Sequence, residues 1–306
     1  MVSGFEDWAQ IADASTHIQK LPFLITSGLF FTIALLSASG RVLLKLRYHR
    51  PFNLDDCILF LGTACLIAGT GIMYALINDI YLGMALAAVP TLSQRLPMSQ
   101  LLSLVSRSMA YIDSFQCLCW TAIFAVKFAF LAFFWKTVER TVGLRRYYWG
   151  VVVVMACAWV YLVVNPFLAC PYFGIEASTK CSGPKKDRLY ITLSYTGTVI
   201  DCVTDFLIVT IPVLVLHRVR ITLRQKLAVG TFMSLSIVMI IISIVRAAVL
   251  FNPQGEIRDG PLQTYLTHVE ACVAVIMVSL TAFRSLFNLE KEEKRRLERL
   301  KWSPGT

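Results

Sequence analysis

Charged residues and the usual metal-binding patterns are scarce in this chain of 306 residues. Only 16% of the residues are charged, whereas about a quarter are charged in ordinary soluble domains. Disorder is excluded as well, because 57% of the residues are hydrophobic and 12% are aromatic. The cysteines form no Cys-x-x-Cys pair and the histidines no His-x-x-x-His pair. We therefore predict no metal site of the zinc type.

The motifs of soluble enzymes are also missing. The chain contains no Gly-x-x-x-x-Gly-Lys, no Gly-x-Gly-x-x-Gly and no Gly-x-Ser-x-Gly. These absences give no support to a nucleotide-binding enzyme or a serine hydrolase. We accordingly predict no cofactor.

Long apolar segments are what the chain does have. A helix needs about 20 mostly apolar residues to cross the hydrocarbon of a bilayer, and seven segments meet that requirement. We predict an all-α, polytopic membrane protein with a bundle of seven transmembrane helices. The predicted spans are Leu21–Val42, Leu54–Ile77, Met109–Trp135, Tyr147–Leu168, Leu189–Leu216, Leu227–Phe251 and Leu262–Phe287.

The remaining segments complete the predicted organisation. Residues 1–20 form an extracytoplasmic N-terminus, residues 21–288 the seven-helix domain, and residues 289–306 a basic cytosolic tail with an amphipathic helix. Tyr81–Val105 is apolar but interrupted by Pro90 and Pro97, so we predict a loop with a short interfacial helix there.

Lysine and arginine are distributed unevenly among the loops. The odd-numbered loops and the tail hold 19 of them, and the N-terminus and even-numbered loops hold 8. The positive-inside rule then places the N-terminus outside and the C-terminus in the cytosol. Topology thus explains the net charge of +10, and we predict a multi-pass protein of the plasma membrane or an endomembrane, with the lipid bilayer and not nucleic acid as its partner.

Six ionisable residues lie inside or at the edge of the predicted spans, where charge is expensive and usually faces the bundle interior. Lys127 and Asp205 lie at similar depth, so we expect them to pair, and Arg246 and Glu270 form a second expected pair. Asp201 is then left without a partner, one turn from Asp205. The predicted polar network consists of Asp113, Lys127, Asp201, Asp205, Arg246 and Glu270.

These charges have two interpretations. They hold the helices together, or they form a ligand or proton site. In the second case Asp201, Asp205 and Glu270 are candidate catalytic acids for a membrane-embedded cyclase, which must donate a proton to its substrate. The same carboxylates would suit a proton or cation site in a transporter.

Two further features concern the ends of the spans. Cys170 and Cys181 lie in the long loop after the fourth span, on the oxidising side, and we predict a disulfide between them. The other seven cysteines fall inside spans and are expected to be free thiols. Asp55 and Asp56 begin the second span, where they complement the helix dipole; pairing with Arg41 or Lys45 is compatible with that role.

Ordered sequence blocks carry a family resemblance. They are RVLLKLRYHRPFNLDD from Arg41, AVKFAFLAFFWK around Lys127, NPFLACPYFGIEASTKC ending at Cys181, VIDCVTDFLIVTIPVLVLHRVRITLRQK around Asp201, SIVRAAVL around Arg246 and HVEACVAVIMVSLTAFRSL around Glu270. In this order the chain resembles the fungal rhodopsin-like integral membrane proteins of the satratoxin-cluster type. The resemblance implies a fungal seven-helix protein, often encoded near secondary-metabolite genes.

Three functions follow as hypotheses. The first is a receptor-like or scaffolding protein, accessory to secondary-metabolite biosynthesis and able to bind a small apolar ligand or metabolite. The second is the membrane-embedded enzyme, and the third is a small transporter. Despite the family's name we expect no bound retinal, because Leu262–Phe287 contains no lysine for a Schiff base.

Overall fold

The fold was obtained as a computed structural model. It describes residues 11, 13–14, 16–49, 51, 54–89, 98–139, 142–172, 176, 180–181, 184–218, 230, 237–248 and 260–301. Within these residues the fold is all-helical and has seven principal helices, numbered here in chain order. They are α1 Lys20–Arg47, α2 Leu54–Ala88, α3 Met98–Val138, α4 Val142–Ala169, α5 Pro184–Arg218, α6 Ile237–Ala248 and α7 Gly260–Lys301.

Six of these helices are long and apolar enough to cross a bilayer, so the prediction of a multi-pass, all-α membrane protein is confirmed. The sixth predicted span, Leu227–Phe251, is described mainly as α6, Ile237–Ala248. Most of its remaining residues lie outside the described part of the chain, as do residues 1–10 and 302–306. The seventh helix continues without a break to Lys301, as expected for a helical tail.

The prediction of a loop with a short interfacial helix over Tyr81–Val105 is wrong for much of that segment. Helix α2 continues to Ala88, and α3 begins at Met98. An apolar helix can continue past the bilayer until a residue that disfavours helix ends it. In the sequence, Pro90 follows the end of α2 and Pro97 precedes the start of α3. The residues between them are outside the described part of the chain.

Helix α3 lies at the centre of the bundle and contacts α2, α4, α5 and α7. Its inner face buries Phe115, Cys119, Ile123 and Phe124. Close packing against α2 depends on Gly62, where an added Cβ would lie 3.0 Å from the Cβ of Ala125. Small residues are what allow membrane helices to approach this closely.

The outer surface of the bundle is strongly apolar. Single large apolar side chains on α1, α2, α4 and α5 are more than half exposed, which suits contact with lipid and not with water. Examples are Leu21, Leu36, Leu43, Leu61, Val153 and Phe206.

An ion-pair cluster fastens one end of the bundle. Arg41 of α1 bonds Asp55 at 2.6 Å and Asp56 at 2.8 Å, and Lys45 also bonds Asp56. The same arginine donates to the backbone oxygen of Val278 on α7 at 2.9 Å. Asp55 and Asp56 lie in the first turn of α2, where a helix dipole role was expected, and they also form the compatible pairs with Arg41 and Lys45, which tie α1 to α2 and α7.

A disulfide links the segments at the opposite end of α4 and α5. Cys170 and Cys181 are bonded, with their Cα atoms 5.7 Å apart, and the other seven cysteines are free. Both parts of the cysteine prediction are confirmed. The bridge closes the connection between α4 and α5 and so defines the disulfide end of the bundle.

Candidate functional site

Four helices bring charged side chains together in the interior of the bundle. Lys127 lies on α3, Asp201 and Asp205 on α5, Arg246 on α6 and Glu270 on α7. The two aspartates are four residues apart and therefore project from one face of α5. We call these five residues the charge cluster.

Lys127 occupies the space between the two aspartates. Its Nζ lies 2.8 Å from Asp201 Oδ1 and 2.8 Å from Asp205 Oδ1. It also contacts the hydroxyl of Thr204 at 3.0 Å and lies 5.0 Å from the ring centre of Phe124. An ammonium group placed in hydrocarbon without partners is strongly unfavourable, so these contacts make its burial tolerable.

Asp201 links the two cations of the cluster. While Oδ1 accepts from Lys127, Oδ2 lies 3.3 Å from the guanidinium of Arg246. Arg246 also bonds Glu270 at 2.6 Å, and its guanidinium stacks 4.6 Å from the ring centre of Trp120. The cluster therefore couples α3, α5, α6 and α7 through one central carboxylate.

The hydroxyl of Ser243 stands between two carboxylates. Its Oγ lies 3.0 Å from Asp201 Oδ2 and 3.0 Å from Glu270 Oε1. Ser243 is one helical turn before Arg246, so both side chains point from the same face of α6.

The side chains of the charge cluster are almost completely buried. Asp201, Arg246 and Glu270 are 0% exposed, Lys127 is 3% exposed and Asp205 is 6% exposed. Two cations face three carboxylates, so full ionisation would leave one uncompensated negative charge in the interior. Burying an uncompensated charge is costly, and this imbalance bears on the protonation of the site.

Two expectations about this network need correction. The expected pairs Lys127–Asp205 and Arg246–Glu270 are present, but Asp201 is not left without a partner: it binds both cations. The structure also does not bring Asp113 into the cluster. Asp113 precedes Lys127 by 14 residues on α3, about 21 Å along the helix axis at 1.5 Å per residue. It is only half-buried.

The three carboxylates are close enough together to hold a cation. One oxygen from each of Asp201, Asp205 and Glu270 lies within 4.8 Å of the others. Lys127 and Arg246 already supply two positive charges to this group. Among the described residues, however, Asp205 Oδ2 has no hydrogen-bond partner although it is buried.

Two small cavities lined by described residues lie beside the charge cluster or beside a side chain that contacts it. One has a volume of about 20 Å³ and is lined by Lys127, Asp205, Met239 and Met277 among others. That volume has room for a single water molecule. We call it the Asp205 cavity.

The second cavity, of about 30 Å³, opens between α3, α4, α5 and α7 towards the disulfide end. Its lining is rich in hydrogen-bonding side chains, and we call it the disulfide-end cleft. It is lined by Gln116, Trp120, Asn165, Ser194, Thr198 and Gln263 together with four other residues. Trp120 thus borders the cleft and stacks on Arg246 of the cluster.

Sequence reasoning missed Ser243, Thr204 and Trp120. Serine, threonine and tryptophan are common in membrane helices, so none of them stands out as an intramembrane charge does. The spacing of Ser243, three residues before Arg246, was the one available signal.

A known family matches most of the chain in sequence. The fungal rhodopsin domain matches residues 40–289, which includes every member of the charge cluster and both disulfide cysteines. The chain belongs to the fungal rhodopsin family. As a fungal rhodopsin domain protein it is a multi-pass membrane protein, and the match concerns the family as a whole and no subtype within it. Among curated proteins, none is significantly similar to this family member.

Proposed function

We propose that this protein is a receptor-like membrane protein in which a small metabolite acts on the charge cluster through the disulfide-end cleft. The supporting observation is the position of Trp120. Its indole lines the cleft and also stacks on Arg246, 4.6 Å from the guanidinium carbon. A ligand that displaced Trp120 would therefore disturb the ion pairs that join α5, α6 and α7.

The chemistry of the cleft favours a particular ligand class. Amide and hydroxyl groups of Gln116, Asn165, Thr198 and Gln263 surround it, and Gln263 Oε1 is buried with no hydrogen-bond partner among the described residues. Buried polar atoms are normally satisfied. A metabolite with a largely apolar skeleton and a few hydroxyl groups would enter from lipid or solvent and donate a hydrogen bond to Gln263 Oε1.

The distribution of basic residues supports the direction of signalling. With the N-terminus outside, the disulfide end faces the exterior and the Arg41 end faces the cytosol. Ligand contact and cellular response would then occur at opposite ends of the bundle. The charge cluster lies between them, where a change in helix packing can be passed on.

Size is the reason for placing a receptor before an enzyme. Pockets for drug-sized molecules usually measure about 300–1,000 Å³. Among the described residues, the cavities beside the cluster measure about 20 and 30 Å³, and they would have to open widely for a substrate to reach a carboxylate. A receptor ligand has to open only the disulfide-end cleft as far as Trp120 and does not have to reach a carboxylate.

The test is deletion of the gene in its host, followed by complementation. Transcripts and metabolites are measured in strains carrying the native protein, Trp120→Leu and Trp149→Leu. Trp149 is 52% exposed on α4 and provides a matched control on the lipid face. We expect deletion and Trp120→Leu to change the transcripts of biosynthetic genes, without build-up of a precursor, at equal protein levels in the membrane.

Other outcomes would identify other functions. Accumulation of an unreacted precursor with unchanged transcripts would contradict the receptor and indicate an enzyme. Retention of a finished product inside the cells would contradict it and indicate export. A response restored by Trp120→Leu as fully as by Trp149→Leu would remove the role assigned to Trp120.

The second candidate is a membrane-embedded biosynthetic enzyme, for example a cyclase. Asp205 favours it, because Oδ2 is buried, has no partner among the described residues and belongs to a residue that lines a cavity. A carboxyl group so placed could donate a proton to an apolar substrate. In that case Asp205→Asn would cause the precursor to accumulate while the protein level stayed unchanged.

A further inference from the structure

The charge cluster would carry more negative than positive charge if all its groups were ionised. It has three carboxylates, and the two cations cannot balance them if all are ionised. Two buried polar atoms of the cluster have no partner among the described residues, the acceptor Asp205 Oδ2 and the donor Arg246 Nε, so unpaired atoms alone do not indicate a missing proton. The charge count does indicate that the cluster takes up one more positive charge.

Ser243 indicates where that charge resides. Its single hydroxyl hydrogen can be donated to only one oxygen at a time. Yet Oγ lies 3.0 Å from both Asp201 Oδ2 and Glu270 Oε1. Both contacts are hydrogen bonds only if one of the two carboxyl groups carries a proton and donates it to Ser243.

Glu270 is the better of the two for holding that proton. Asp201 faces both Lys127 and Arg246, which favour its charged form, whereas Glu270 faces Arg246 alone. A neutral Glu270 would donate from Oε1 to Ser243 and accept from Arg246 at Oε2, where the distance is 2.6 Å. Ser243 would then donate its own hydrogen to Asp201.

We propose that the charge cluster is a proton-binding site, in which one exchangeable proton resides on Glu270 and is hydrogen-bonded through Ser243 to Asp201. The cluster is then neutral overall, with Lys127 and Arg246 balanced by Asp201 and Asp205. The proton enters and leaves as a hydrogen ion from water, and no bond other than the O–H bond of Glu270 changes. This site does not depend on the receptor function proposed above.

Loss of the proton would place one uncompensated negative charge among these groups. Among the described residues, the titratable or charged groups near Glu270 or its partners on neighbouring helices are Cys119 and Lys127 of α3, Asp201, Cys202 and Asp205 of α5, and Arg246 of α6. From α2, Thr70 contacts His268 of α7, and from α1, Arg41 bonds α7 at Val278. The Asp205 cavity can admit one water molecule to the cluster when the charge changes.

Infrared spectroscopy of the purified full chain in lipid tests this proposal. A protonated carboxyl group gives a carbonyl stretching band that is distinct from those of carboxylates and amides. We expect such a band at neutral pH, a shift of that band on exchange into heavy water, and its loss in Glu270→Gln. The band should persist but shift in Ser243→Ala, because the proton loses its acceptor.

Asp205→Asn is the matched control that locates the proton. If the band persists in Asp205→Asn and disappears in Glu270→Gln, the proton is on Glu270. The proposal fails if the native protein shows no such band. It fails equally if the band is lost in Asp205→Asn but kept in Glu270→Gln.

Folded yield provides a second measurement. Glutamine reproduces the shape and neutrality of a protonated Glu270 and can donate to Ser243, so Glu270→Gln should be recovered folded like the native protein. Asp201→Asn removes a charge that two cations need and should be largely lost to aggregation. Equal loss of both variants would show that Glu270 is ionised and overturn the proposal.

Discussion

Arg41 of α1 binds Asp56 of α2 through two nitrogens, with Nε 3.0 Å and Nη2 2.8 Å from the same carboxylate oxygen. A third nitrogen of the arginine bonds Val278 of α7, so one side chain connects three helices. Arg41 and Asp56 are 4% and 2% exposed. An ion pair this deeply buried is sensitive to the loss of either partner.

Replacement of Arg41 by methionine should therefore destabilise the protein. The change removes the bonds to Asp55 and Asp56 and the contact to α7, at a cost of about 3–5 kcal/mol. Arg41→Lys should cost less, since it keeps the charge but loses the bond geometry. Thermal unfolding in detergent, followed by tryptophan fluorescence, measures both. Equal melting temperatures for Arg41→Met and the native protein would show that the ion pairs of Arg41 contribute nothing to stability.

The pair Lys127–Asp205 can be examined by a double-mutant cycle. Lys127→Met leaves Asp205 without its cation and should cost about 3–5 kcal/mol. Asp205→Leu should cost less, because Lys127 keeps Asp201 at 2.8 Å. The double variant should recover part of the loss of Lys127→Met, which folded yield in the membrane will measure. Strictly additive losses would mean that the two residues do not interact.

The sequence predicted the cluster's members better than their connections. Lys127, Asp201, Asp205, Arg246 and Glu270 were identifiable because charge inside a bilayer is expensive and needs a reason. Which carboxylate joins which cation depends on helix rotation and depth. The rotation and depth of each helix are set by packing, such as the close approach of α2 and α3 at Gly62. They cannot be predicted from the spacing of residues along the sequence.

The same contrast holds for the fold. Apolar length sufficed to predict six membrane-spanning helices, and α6 lies within the remaining predicted segment, Leu227–Phe251. Helix ends beyond the bilayer do not follow from hydrophobicity, because any sequence without a helix breaker can continue. Helix α2 therefore extends to Ala88 and α3 begins at Met98 across much of what was predicted to be a loop.

The Cys170–Cys181 disulfide should lie on the outer side and stabilise the native fold. Mass mapping of unreduced protein should find the two cysteines joined, while the seven others react with an alkylating reagent after unfolding. Cys170→Ser should lower the free energy of unfolding by about 2–4 kcal/mol, typical for a short closed loop. Cys157→Ser, an exposed free thiol on α4, is the control and should have no effect. Alkylation of Cys170 before reduction would contradict the expectation.

Membrane orientation is the next prediction. The excess of lysine and arginine in the odd-numbered loops and tail predicts a cytosolic C-terminus. A reporter that is active only in the cytosol should be active when it is fused after residue 306. A glycosylation acceptor placed before Lys20 should be glycosylated. If a C-terminal reporter were active on the lumenal side, the predicted topology would be wrong. The disulfide would then lie in the reducing compartment.

Retinal should not bind covalently, although the family is called fungal rhodopsin. A Schiff base requires an unprotonated lysine amine. Two lysines of the described helices are buried: Lys45 pairs with Asp56 at the end of the bundle, and Lys127 lies in the charge cluster. The Nζ of Lys127 is held at 2.8 Å by each of two carboxylates, which favour the ammonium form. Added retinal should therefore give no shifted visible band and no product after borohydride reduction. A band that appears with the native protein and is absent in Lys127→Met would show that the amine is released from Asp201 and Asp205, and the cluster would then be a chromophore site.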